Sequence, residues 1–108
     1  MAEKSWKIAE RRIAQALGGL RVPVSGRQRG DVPDIEHPTL SIEVKTRKAL
    51  PQWIEDAMEQ AQAAAGGEED GRLPVAVLHQ LGMPYRKALV VLRLEDFLTL
   101  CPEEEGKA

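Results

Sequence analysis

From Glu3 to about Gly18 the apolar residues Trp6, Ala9, Ile13, Ala16, Leu17 and Leu20 recur at helical spacing and form one stripe. That period predicts an amphipathic helix, with Ser5 or a neighbour as its cap and Gly18-Gly19 as its exit. Leu20 to Val24 then reads as a short strand, and Pro23 near its end suits an edge or a bulge. The following SGRQRGDVPD has no apolar period and is a loop, closing at Pro33-Asp34-Ile35, a brief strand at most, before a turn at His37-Pro38-Thr39.

Leu40 to Lys45 alternates, with Leu40, Ile42 and Val44 on one side and Ser41, Glu43 and Lys45 on the other, as a half-buried strand requires. Pro51 suits the first turn of a helix, and QWIEDAMEQAQAAA is rich in helix formers up to Gly66-Gly67. PVAVLHQL and KALVVLRL, separated by Gly82 to Arg86, predict paired central strands. Glu95 to Leu100 predicts a last short helix. The order of elements implies an α/β fold, a mixed sheet with helices on both faces. At 108 residues the chain reads as one domain, 1–108, with a polar tail from about residue 102.

Charge changes this picture. Residues 1–48 hold ten Lys and Arg against six Asp and Glu, net +4, while residues 49–108 hold five against eleven, net −6. The overall −2 therefore hides a basic half suited to phosphates. Cys101 is alone, so no internal disulfide can form, and no Cys/His cluster has structural-zinc spacing. A charged N-terminus and the lack of a long apolar run predict a protein neither exported nor inserted in a membrane, and the lone cysteine fits a reducing, cytoplasmic setting.

Candidate chemistry gathers on the alternating strand. Glu43 and Lys45 project from one face, roughly 7 Å apart, and an adjacent strand ending at Asp34 would bring a second carboxylate alongside. Two close carboxylates raise each other's pKa unless a cation lies between them. Mg²⁺, with Mn²⁺ as substitute, takes one or two carboxylates plus water and phosphate. It would activate a water at phosphorus, with Lys45 orienting that water or offsetting phosphoryl charge. Glu10, at the border of the apolar stripe, could complete the shell or remain an ordinary helix glutamate. Arg27, Arg29, Arg47 and Lys48 flank these residues and either line a DNA path or belong to ordinary solvated loops. Ser25 beside Gly26 either binds a phosphate or makes a turn.

AERRIAQAL, PVSG, VPDI and LSIEVKTRK resemble, in order and spacing, the motifs of the PD-(D/E)XK nuclease superfamily, particularly the archaeal-type Holliday-junction resolvases. The resemblance covers about residues 5–48 in motifs and the rest in element order. It implies a restriction-endonuclease-like fold with Asp34, Glu43 and Lys45 as the core triad, Glu10 as the helix glutamate and Ser25 as the motif serine. The implied metal set is Asp34, Glu43, the backbone carbonyl of Val44 and Glu10. The implied activity is Mg²⁺-dependent resolution of four-way DNA junctions by symmetric paired nicks, in DNA recombination and repair. A homodimer suits it, since two equivalent cuts need two sites. The stretch between Lys45 and the second helix is shorter than in the archaeal enzymes, so both Gln52 and Gln60 are candidates for the superfamily's helical glutamine.

Two other readings remain: a nuclease of the same fold with repair, restriction, flap or single-strand specificity, and a DNA-binding module without catalysis. His37 and His79 have no partner at ligand spacing. Trp6 and Trp53 read as core or interface residues, and Tyr85, flanked by Arg86 and Lys87, is open to DNA or a second subunit.

Overall fold

The computed structural model describes residues 4–23, 32–66 and 68–101. They form a mixed α/β protein of three helices and two small antiparallel sheets, and the chain divides into two compact units, Met1–Lys48 and Ala49–Ala108. The described strands therefore pair in two separate antiparallel sheets, not in the one mixed sheet that the element order predicted. Among the described residues, no helix is long and apolar enough to cross a membrane.

In the first unit, helix α1 spans Ser5–Leu17. Ser5 lies in its first turn, and Lys4 at the cap contributes no side-chain hydrogen bond. The exit is the expected one: Gly18 is left-handed at φ 74°, and the Gly19 N–H donates to the Ala14 carbonyl at 2.9 Å, which closes the helix and reverses the chain. The buried face runs through Glu10 and Ala14, whereas Ala16 and Leu20, placed on the stripe by sequence, are exposed.

Three short strands follow in sequential antiparallel order: β1 Leu20–Arg21, β2 Ile35–Glu36 and β3 Ser41–Ile42. Arg21 pairs with Ile35 and Ile35 with Ile42. The Val22 N–H donates to the Asp34 carbonyl at 2.9 Å, so pairing continues past β1, and α1 packs on β1. Ile35, wholly inaccessible to solvent, anchors this core with Ala14 and Val22. A Cβ on Gly19 would lie 2.6 Å from both the Glu36 carbonyl oxygen and Ile35 Cγ2. Since backbone on one side and packed core on the other cannot both yield, Gly19→Ala is expected to destabilise the protein by about 2 kcal/mol in urea unfolding.

β3 is shorter than the predicted strand from Leu40 to Lys45. The cause is a side chain: Asp34 Oδ2 accepts the Val44 N–H at 2.7 Å, so a carboxylate takes the place of a ladder carbonyl. The alternation of exposure nevertheless persists, with Ser41, Glu43 and Lys45 exposed and Ile42 and Val44 half-buried.

The second unit opens with α2, Gln52–Ala64, where the Ile54 and Glu55 N–H groups donate to the Pro51 carbonyl. Strands β4 Ala76–Leu78 and β5 Leu89–Val91 pair antiparallel, Val77 opposite Val90. The expected pairing is present, but Val77, Leu89 and Val90 are exposed, so these are not central strands. A 3₁₀ turn, Tyr85–Lys87, lies between them, and α3 spans Leu94–Leu100. Met58, Ala65 and Ala76 are buried apolar residues of the second unit, and Arg93 donates to Glu55 at 3.1 Å, tying the start of α3 to α2.

Candidate functional site

Trp6 and Glu10 stand four residues apart on α1 and so share one helix face. Because the Gly18-Gly19 exit folds β1 back along that face, Arg21 meets Glu10, its Nε donating to Glu10 Oε2 at 3.1 Å. Glu10 is only 3% exposed. It is thus a buried, ion-paired carboxylate, further inside than the stripe border to which the sequence assigned it. A buried carboxylate is tolerated only with such compensation. The Arg21 guanidinium also lies 5.9 Å from the centre of the Trp6 ring, within cation–π range.

Asp34, 8% exposed, immediately precedes β2. Continuing the β2–β3 register by one residue sets it opposite Glu43. The His37-Pro38-Thr39 turn makes this possible, with His37 Nδ1 accepting the Thr39 N–H at 3.1 Å.

These elements enclose a cleft of about 290 Å³ lined by Trp6, Glu10, Asp34, Val44, Lys45, Thr46 and Arg47. Two carboxylates and two cations drawn from α1, the segment before β2 and the segment after β3 therefore share one concavity. Of the sequence candidates, Glu10, Asp34, Val44, Lys45 and Arg47 are brought together here. Glu43 and Lys48 are exposed and absent from the lining. Ser25, Arg27 and Arg29 lie outside the described residues. Gln52 and Gln60 are exposed on α2, and Gln52 bonds Asp56 along the helix at 2.9 Å.

Sequence reasoning missed Arg21, Trp6 and Thr46. Trp6 is a cleft wall as well as a packing residue, and Trp53, which is exposed, is no core residue. The only available signal for Arg21 was a cation shortly after the helix exit, opposite a glutamate on the helix.

The cleft places the oxygen donors of two carboxylates together, the donor type that a hard divalent cation takes. Among the described residues, no group of three or more His, Cys, Asp and Glu side chains is arranged to hold a metal ion. The chain matches no protein-family model, no curated protein and no solved structure.

Proposed function

We propose that the protein is a Mg²⁺-dependent nuclease of the PD-(D/E)XK type that cuts branched DNA, with four-way junctions as its substrate and a homodimer as its working form. The observation that carries this reading is the buried Asp34 carboxylate, fixed by the Val44 N–H within a cleft that also holds Glu10, Lys45 and Arg47. A carboxylate so placed gives up much of its hydration, which an ordinary surface aspartate would keep. The basic sign of residues 1–48 adds the attraction that a phosphate backbone needs.

Asp34 and Glu10 are the lining carboxylates that would hold the cation, with the Val44 carbonyl beside them and Glu43 contributing from the neighbouring strand position. When bound, Mg²⁺ supplies Lewis acidity and a more acidic water. The protein's own part is to position. Hydrolysis joins a water oxygen to phosphorus and breaks one P–O bond, and Lys45 orients that water and offsets the charge gathering on the phosphoryl oxygens. Arg47 draws the backbone toward the cleft. Arg21 acts one step removed, by holding Glu10 in place.

A cleavage assay comparing a four-way junction with linear duplex, flaps and single strands, in Mg²⁺ and then in chelator, tests the reading. Junction-selective nicking that chelator stops is the expected result, and cutting that persists in chelator would refute it. Equal cutting of linear DNA would point to a restriction or repair specificity, and binding without product under any divalent ion to a non-catalytic module. Replacing Arg47 and Lys48 together, or Arg27 and Arg29 together, with Gln is expected to weaken junction binding and to lower the slope of log K against log salt by about 2. An unchanged slope would remove those cations from the DNA path.

A further inference from the structure

We propose that the turn joining β4 to β5 is a second nucleic-acid contact, where an unpaired base stacks on Tyr85 and Arg86 and Lys87 hold the adjoining phosphates. Tyr85 is 85% exposed, yet it is braced. The His79 Nε2–H donates to the Met83 carbonyl at 2.8 Å, and the imidazole centre lies 4.9 Å from that of the Tyr85 ring, tilted by 36°. The Lys87 N–H donates to the Pro84 carbonyl at 2.9 Å and the Ala88 N–H to the Tyr85 carbonyl at 3.0 Å. The ring is therefore presented in a defined orientation before any ligand arrives, which reduces the ordering cost of binding.

Charge selects the ligand. Residues 71–93 contain Arg72, Arg86, Lys87 and Arg93 and no Asp or Glu, within a half of the chain that is net −6. Arg72 is ion-paired to Asp70 and Arg93 to Glu55. Arg86 and Lys87 are exposed and form no ion pair among the described residues. An open aromatic face beside uncommitted cations suits a single strand, whose bases are free to stack and whose backbone is anionic. An acidic peptide would engage the cations and leave the ring unused, and a duplex keeps its base faces inside its own stack. This contact lies within the second unit and is separate from the cleft chemistry, requiring neither metal nor cutting.

Fluorescence anisotropy with labelled oligothymidylate in EDTA tests the proposal on the full chain. Tyr85→Ala is expected to raise Kd roughly tenfold, while Tyr85→Phe, which keeps the ring, stays within about twofold. Arg86→Gln with Lys87→Gln should also weaken binding and lower the salt slope by about 1.4. The Arg72→Gln control, which removes a cation already paired, should change neither. On a linear duplex, Tyr85→Ala should have no effect. The proposal is overturned if the wild type does not bind the oligonucleotide, if Tyr85→Ala binds as tightly as wild type, or if it loses duplex affinity equally. Tyr85-dependent binding in a protein that never nicks a junction would refute the nuclease reading alone. Metal-dependent nicking with binding indifferent to Tyr85 would refute only this one.

Discussion

Asp34→Asn is expected to lower junction nicking about a thousandfold while junction affinity changes by less than about threefold. Asparagine keeps an oxygen that can accept the Val44 N–H, now made to Asp34 Oδ2 at 2.7 Å, so the end of β3 is preserved. What disappears is one of the two carboxylates in the cleft. Binding persists because it depends on the cations, which the substitution leaves in place. Glu43→Ala should produce a comparable loss, although Glu43 is exposed and outside the cleft lining. Single-turnover rates with the wild-type thermal midpoint as a control make the measurement. Nicking within tenfold of wild type for either variant would remove that residue from the reaction.

The second large effect concerns stability. Arg21→Leu removes the cation that Glu10 Oε2 meets at 3.1 Å, and the Glu10 side chain is only 4% exposed against 24% for Arg21. Taking one partner from a buried ion pair costs about 3–5 kcal/mol. The partial exposure of Arg21 puts the expected loss at the lower end, about 3 kcal/mol in urea unfolding. Replacing both partners, with Glu10→Gln added to Arg21→Leu, should recover part of that loss, because the buried charge is removed together with its cation. A single variant as stable as wild type would show that the pair is not what compensates Glu10.

Some of this architecture was legible in the sequence, and the reasons differ from residue to residue. The helix over residues 5–17 and its glycine exit follow from a local period and a local backbone requirement. The placement of Asp34 beside the segment that carries Glu43 and Lys45 followed from alternation and a turn too short to carry the chain elsewhere. The Arg21–Glu10 pair was hidden because it depends on how far β1 slides along α1, across eleven positions of sequence. The early end of β3 was hidden for a related reason: alternation describes where side chains point, not whether a carboxylate will capture a backbone N–H. The same rule could not say that Glu43, on Lys45's side of the strand, would stay out of the cleft that Lys45 lines. In the second unit, the β-branched run around Val77 and Val90 identified paired strands correctly. Their exposure was not encoded there, because hydrophobicity reports a tendency to be covered and not the presence of a cover.

The close approach at Gly19 has a consequence for the acids on either side of it. Glu10 belongs to the helix that ends at Gly18, and Asp34 directly precedes Ile35, whose Cγ2 abuts Gly19. The residue without a side chain thus lets two carboxyl-bearing arms approach closely at this point. Crowding position 19 would spread the arms together, so the gap between the acids and the seating of the core would be lost in a single movement.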